Sequence, residues 1–114
     1  MTRIYKLLTR AEWVAAEARG LFEGSAVDLA DGFIHFSTAG QAAETGRKYF
    51  SGVPDLVAVG FEAESLGDGL KWEPSRGGDL FPHLYGPLPT ALAIEVRDVA
   101  LGADGAPKLE GLTA

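Results

Sequence analysis

Residues 55–62, DLVAVGFE, constrain the fold most strongly, because apolar side chains occupy both alternating sets of positions. Successive side chains of a strand point to opposite faces of a sheet, so this strand must be covered on both sides. Such a pattern is typical of a central strand. A chain of 114 residues fits a single domain around it, since two halves would each be too small to hold a core.

The composition, with 46% apolar and 23% charged residues, is that of an ordinary globular protein. No apolar run approaches the roughly 20 residues that span a bilayer, and the first residues lack the features of a secretory signal. Cysteine is absent, which excludes disulfides, thiolate catalysis and zinc–thiolate sites. We therefore expect a cytoplasmic protein with no membrane partner.

The formal net charge of −6 makes a duplex nucleic acid an unfavourable partner. Affinity for duplexes rests mainly on neutralising phosphates with lysine and arginine. A local basic pocket for a single nucleotide remains compatible with this charge.

The first segments predict a strand followed by a helix. Residues 3–8, RIYKLL, have the β-branched and aromatic content of a strand, and Lys6 shares a face with apolar neighbours. Thr9 and Glu12 match a capping box, which predicts a helix over residues 10–19 ended by a glycine.

The motif DGFIHFST predicts a buried strand that leads directly into a second helix. Residues 33–36 form a short apolar run after a turn signal. Ser37 and Thr38 end this strand, and Thr38 with Gln41 matches another capping box. His35 would then lie beside a helix N-terminus, where free N–H groups favour anions.

The other segments are short and separated by turns. Their patterns predict irregular structure over 21–31, a helix from Thr38 to about 50, a helical turn over 63–68, a strand over 70–73, a shaped loop or edge strand over 81–88 and a last strand over 90–99. The sequence thus predicts one α+β domain over residues 1–102. We expect a mixed, strongly bent sheet of about five or six strands with two main helices, followed by a flexible tail over 103–114.

The chain contains two histidines, His35 and His83, and both lie in aromatic-rich segments bounded by turns. This placement indicates a small-molecule site with the two histidines as candidate catalytic residues. The alternatives are that His35 is a core residue bonded to a main-chain carbonyl and that His83 only shapes a turn. Lys6 either extends its amine to water or places a cation for a phosphate or carboxylate.

Carboxylates add a further candidate. Asp28 and Asp31 are expected to cap loops, whereas Glu73 follows Trp72 and is either a surface residue or a partly desolvated carboxyl with a raised pKa suited to proton transfer. The dinucleotide, P-loop and zincin motifs are absent. With two histidines and no cysteine, we expect no structural metal site, and a mixed site of histidine and carboxylate ligands is the alternative.

Several features are distributed along the chain: Trp13 and Gly20 in the first helix and at its end, and the segments IYKL, DGFIHFST, RKYFSG, DLVAVGFE, KWE and FPHLYGPL. Together, over about residues 3–99, they resemble the family of short, mostly bacterial proteins called domain of unknown function 952. That family is similar in outline to the ADP-ribosyltransferase fold, particularly to the RNA 2′-phosphotransferases, which use NAD. The resemblance implies an ADP-ribosyltransferase-like fold with NAD as the candidate cofactor.

Two motifs of those transferases map onto this chain. A first-strand motif of the type LYHGT falls on Ile4-Tyr5-Lys6, so that Lys6 stands where the transferases have the histidine that holds NAD. A motif of the type VHLS falls on residues 33–37. The resemblance therefore implies that His35 contacts the NAD ribose or a substrate phosphate and that Ser37 lies beside it.

Three functional hypotheses follow. The first is a site for a nucleotide or NAD-like molecule, with His35 and His83 catalytic, Lys6, Ser37, Thr38 and Tyr85 binding the ligand, and Tyr85, Trp72 or Phe36 as stacking walls. The second is a non-catalytic binding or regulatory module that kept the fold and lost transferase chemistry, which the lysine at position 6 favours. The third is a protein-interaction domain in which the histidines are buried far apart.

Overall fold

The computed structural model describes residues 2–114, apart from the side chain of Arg76. The α-helices lie among the strands of the first half of the chain, and 3-10 helices connect most of the later strands. The strands are β1 Arg3–Thr9, β2 Leu21–Phe22, β3 Ile34–His35, β4 Ser37–Thr38, β5 Leu56–Glu62, β6 Leu70–Pro74, β7 Leu80–Leu84, β8 Leu88–Pro89 and β9 Glu95–Val99. The α-helices are α1 Arg10–Arg19, α2 Ala26–Asp31 and α3 Ala39–Tyr49, and 3-10 helices cover Ala63–Gly69, Arg76–Gly78 and Thr90–Leu92.

The main sheet has the order β4-β1-β5-β9, with β5 inside it as its sequence predicts. Strands β1 and β5 pair along their full length, from Arg3 opposite Glu62 to Thr9 opposite Leu56. One face of this sheet belongs to a core cluster that includes α1, and the other face belongs to a second cluster that includes α3. The two apolar sets of the central strand are therefore both buried.

Two smaller sheets accompany the main one: β2 pairs with β8, and β7 lies between β3 and β6. Every strand pairing in residues 2–114 is antiparallel. The expectation of one mixed sheet is therefore corrected to three antiparallel sheets in a single α+β domain. The run 33–36 is split at Phe36, where the chain leaves β3 in the small sheet and enters β4 in the main sheet.

The expectation of a loop or edge strand over residues 81–88 was wrong, because β7 is the middle strand of its sheet. Pro82 is tolerated there for a geometric reason. The N–H and C=O of one strand residue point to the same side, and the carbonyl of Pro82 accepts a hydrogen bond from the Phe36 N–H, 3.0 Å away. The side of Pro82 that lacks an N–H therefore also faces β3. Strand β3 pairs with β7 only through Ile34 and His35, so the missing donor lies beside the end of this short pairing.

The two main helices agree with the prediction. Helix α1 begins at the Thr9–Glu12 capping box, and α3 begins at the box formed by Thr38 and Gln41. Helix α2 lies in the segment that was expected to be irregular, and the last strand, predicted from residue 90, begins only at Glu95. None of the helices in the described part of the chain is long and apolar enough to cross a membrane.

The C-terminal segment, predicted as a flexible tail, packs against the face of α3. Leu109 is only 2% exposed and belongs to the second core cluster. The hydroxyl of Tyr5 donates to the carbonyl of Thr113 at 2.8 Å. Gly46 allows this close approach, because a Cβ at that position would lie 2.6 Å from the Cδ1 of Leu109.

Candidate functional site

The sheet of β3, β7 and β6 has one apolar face and one face of polar and aromatic side chains. His35 lies directly opposite His83, and His83 lies opposite Lys71, so these three side chains project to the same face. The neighbouring residues Ile34 and Leu84 project to the other face and join the core. The alternation of a β-strand therefore gathers the two histidines on one surface.

The two imidazole rings are close together, with their centroids 5.5 Å apart in an edge-on arrangement. The ring of Phe33 stacks on His83 at 4.1 Å and lies 4.5 Å from His35. Tyr85 lies 5.3 Å from the same phenylalanine. The hypothesis that the histidines lie far apart is therefore wrong.

A buried ion pair lies behind His35. The ammonium of Lys6 donates to Asp28 Oδ2 at 2.7 Å and to the main-chain carbonyl of His35 at 3.1 Å. Lys6 shares its face of β1 with Ile4 and Leu8, as the sequence indicates. Burial lowers the pKa of Lys6, and the charge of Asp28 opposes that change.

Asp28 is the centre of this network, although it was expected to cap a loop. Its Oδ1 accepts hydrogen bonds from the N–H of His35 at 3.1 Å and from the Nδ1 of the same residue at 2.6 Å. Its Oδ2 also accepts from the N–H of Ser25, 2.9 Å away. Burial alone would raise the pKa of Asp28, but the bond from His35 and the charge of Lys6 outweigh burial and hold the pKa at about 2.

One signal in the sequence could have revealed this role. Ser25 and Asp28 form the capping box of α2, a pattern that places an acidic residue three positions after a serine. The pattern predicts the helix start and the bond to the Ser25 N–H. It does not predict burial of the carboxylate, which depends on Lys6 reaching it from β1.

The second nitrogen of the His35 ring faces a different carboxylate. Nε2 lies 2.9 Å from Oδ2 of Asp31, whose side chain is 48% exposed. Ionised carboxylates only accept hydrogen bonds. Each ring nitrogen of His35 therefore faces a carboxylate that can accept a hydrogen bond from it.

His83 has its own carboxylate partner on the adjacent strand. Its Nδ1 lies 2.8 Å from Glu73 Oε1, and the hydroxyl of Tyr85 donates to the same oxygen at 2.8 Å. These two bonds, with that from His83 first, lower the pKa of Glu73, which contradicts the alternative of a partly desolvated carboxyl with a raised pKa. Glu73 in turn raises the pKa of Tyr85. Within residues 2–114, the Nε2 of His83 makes no hydrogen bond with a described side chain.

The two histidines line one cavity of about 570 Å³. The cavity lies at the edge of β1, where β4 pairs only with Ile4 and Tyr5. Beyond that short pairing, Lys6 and Leu7 reach the cavity wall. Its lining also includes Asp31, Ser37, Ser75 and the aromatic residues Phe36, Tyr49, Phe50 and Phe81.

The other candidate residues take different places. Ser37 lines the cavity, but its hydroxyl donates to the Oγ1 of Thr45 at 3.1 Å. Thr38, Tyr85 and Trp72 are not part of the lining; Thr38 accepts from the Gln41 N–H within its capping box. The predicted helix N-terminus is thus capped by its own side chains. Among residues 2–114, no group of three or more histidine or carboxylate side chains is arranged to hold a metal ion.

Tyr49 is a wall residue that sequence reasoning missed. Its position seven residues after the buried Ala42 suggests the core face of α3, yet its side chain is 66% exposed and lines the cavity. It is the last residue of the helix, and Phe50, which follows it, packs against the second core cluster. No local pattern distinguishes it from a core tyrosine.

The sequence profile of a family described as protein of unknown function, DUF952, matches residues 7–96. The chain belongs to this family. A crystal structure of protein CC0527 from Caulobacter crescentus is similar with a TM-score of 0.93 and 59% identity, covering 95% of each chain. A solution NMR structure of CC0527 has a TM-score of 0.86 and 60% identity, covering 96% of this chain and 94% of that one. A comparison with curated proteins finds no match.

The DUF952 match contains most of the residues described above. Asp28, His35, Glu73 and His83 all fall inside residues 7–96, whereas Lys6 immediately precedes the matched segment. The site is thus built almost entirely from the part of the chain that defines the family.

Proposed function

We propose that this DUF952 protein binds a nucleotide or NAD-like small molecule in the cavity beside His35 and His83. The observation that carries the proposal is that two histidines distant in sequence are directly opposite each other in an antiparallel pair and line one cavity. A protein with no use for a polar site would have little reason to place two imidazoles there. A further element of the proposal is a cytoplasmic location, in keeping with the absence of cysteine.

The dimensions of the cavity support a small-molecule ligand. Its volume of about 570 Å³ lies within the ~300–1,000 Å³ that is common for such sites. Tyr49 presents an exposed ring to the cavity, and Phe50 and Phe81 add apolar surface. A nucleobase or nicotinamide ring can stack on such a wall, while the histidines provide hydrogen bonds at the other end.

The orientation of His83 supports a chemical role as well as a binding role. Glu73 is an ionised acceptor at 2.8 Å from Nδ1, which leaves Nε2 as the nitrogen available to a ligand. A carboxylate that orients an imidazole in this way is a common arrangement in general acid–base catalysis. In an ADP-ribosyltransferase-like reaction, His83 would accept or donate a proton while His35 binds an oxyanion.

The alternative is a binding module without catalysis, and one observation favours it. Lys6 occupies the position where the resemblance places the histidine that holds NAD, and its ammonium is bonded to Asp28 and to the His35 carbonyl. Lys6 therefore holds Asp28 and the main chain of His35 in place, and it has no imidazole ring with which to bind NAD. A protein of this kind would bind the ligand without converting it.

The test is a titration of the isotope-labelled protein with NAD, ADP-ribose and AMP, followed by NMR and by thermal shift. We expect ligand-induced changes at His35, His83 and Tyr49. The variant His83→Asn keeps a donor toward Glu73 but removes Nε2, and we expect at least a tenfold loss of affinity. Arg19→Gln, at an exposed position of α1 outside the cavity, is the control and should bind normally.

The outcomes separate the hypotheses. Release of nicotinamide from NAD supports the enzyme, and binding without release supports the module. If no ligand perturbs either histidine, the proposed site is rejected. Equal ligand affinity of the wild type and His83→Asn would show that His83 does not contribute to the proposed site.

A further inference from the structure

The His35 ring is held between two carboxylates that differ in burial and in the number of their hydrogen-bond donors. Asp28 is buried and has four donors within hydrogen-bond distance, from Lys6, Ser25 and twice from His35. Asp31 is half exposed and lines the cavity that is proposed to hold the ligand. The Asp28 carboxylate is thus fixed in the core, whereas the Asp31 carboxylate lies in the cavity wall, where a ligand would bind.

We propose that the Nε2 of His35 is an oxyanion subsite and that Asp31 occupies it in the free protein, so that a phosphate group of the ligand binds by replacing the Asp31 carboxylate. This inference rests on the proposed function and adds the chemical class of the group bound there. It also assigns to Asp31 the role of an internal competitor.

The hydrogen-bond roles define what the subsite accepts. Asp28 is ionised and accepts from Nδ1, and Asp31 accepts from Nε2, so the ring presents an N–H to the cavity. An oxygen that replaces Asp31 must be an acceptor, and a charged acceptor forms the stronger hydrogen bond with the ring N–H. A phosphate oxygen meets both requirements, whereas an ammonium or another donor meets neither.

The contact with Asp31 is weak enough to be exchanged. Ion pairs between exposed side chains contribute about 0–1 kcal/mol, because water screens them and both side chains lose freedom. Asp31 is the last residue of α2, and Gly32 follows it with a φ of 88°, so the helix ends at this point. Its carboxylate can therefore turn to solvent while α2 stays anchored through the buried Asp28.

Removing the Asp31 carboxylate should tighten binding of phosphate compounds. It eliminates both the competitor for Nε2 and a negative charge in the cavity wall. In Asp31→Ala, which places a good helix former at the helix end, we expect a three- to tenfold lower Kd for pyrophosphate and for ADP. The long-range ¹H–¹⁵N NMR signals of the His35 ring should respond to both compounds.

The matched control is Asp68→Asn, which changes the net charge by the same amount at an exposed position outside the cavity. Its Kd values should equal those of the wild type, which separates local competition from a general charge effect. His35→Gln should abolish the gain when it is combined with Asp31→Ala.

Each result decides between the claims. If the wild type binds ADP and Asp31→Ala binds it equally or more weakly, the competitor role is overturned while the proposed function stands. A gain of the same size in Asp68→Asn also overturns it. If neither the wild type nor Asp31→Ala binds pyrophosphate, ADP or ADP-ribose, both the subsite and the proposed function fail.

Discussion

The ammonium of Lys6 and the carboxylate of Asp28 form an ion pair, 2.7 Å from Nζ to Oδ2, in which the two side chains are only 5% and 1% exposed. The pair joins β1 to α2 and places Asp28 against the main chain and ring of His35. It therefore contributes both to the stability of the domain and to the position of one wall of the cavity.

Replacing Asp28 by Asn should destabilise the protein by about 3–5 kcal/mol, because Lys6 then remains buried without its counter-charge. Urea-induced unfolding of the variant and the wild type measures this difference. Asp98→Asn is the matched control, since it removes an ion pair with Arg10 at the surface and should cost less than about 1 kcal/mol. Similar losses in the two variants would contradict the importance of burial.

The same carboxylate makes stability depend on acid pH. The pKa of Asp28 is about 2 in the folded protein against 3.8 ordinarily, so the folded state favours the ionised form. The corresponding stabilisation, about 2 kcal/mol, is fully present above pH 4 and is lost as the pH falls from about 4 to about 2.

Urea midpoints measured between pH 2 and pH 6 test this dependence. The wild type should lose more stability across the acid range than Asp28→Asn, which lacks the titrating group. Parallel pH profiles for the two proteins would show that Asp28 does not contribute.

The packing of the C-terminal segment can be tested at Leu109. This side chain is buried in the second core cluster, so Leu109→Ala should cost about 2–4 kcal/mol through lost apolar contact and a cavity. Leu29→Ala is the control at a side chain that is 67% exposed and should change the free energy of unfolding by less than about 0.5 kcal/mol. Equal effects would mean that residues after Val99 add nothing to the core.

The Glu73 carboxylate can be tested through Tyr85. The hydrogen bond to Glu73 raises the pKa of the Tyr85 phenol, because the phenolate would lose that bond and face a negative charge. Glu73→Gln should therefore lower the pKa of Tyr85 toward 10.0, its ordinary value. A spectroscopic titration of phenolate absorbance measures the change, and Tyr85→Phe identifies the transition. An unchanged titration curve would rule out this contact in solution.

The sequence by itself determined the elements that depend on neighbouring residues. The capping boxes at Thr9 and Thr38 predicted where α1 and α3 begin, because a cap is formed by residues three positions apart. The doubly apolar run 55–62 predicted the central strand β5, since burial on both faces leaves a local pattern. The family was also recognisable from such local segments.

Only the tertiary structure decided how those elements meet. That His35 lies opposite His83, that Asp28 is buried against Lys6 and that Pro82 stands in a middle strand all follow from pairings between distant segments. Such pairings depend on the register and edge of every neighbouring strand, which no short window of residues contains. The sequence therefore indicated the two histidines as candidate site residues, but the cavity that they line forms only through long-range packing.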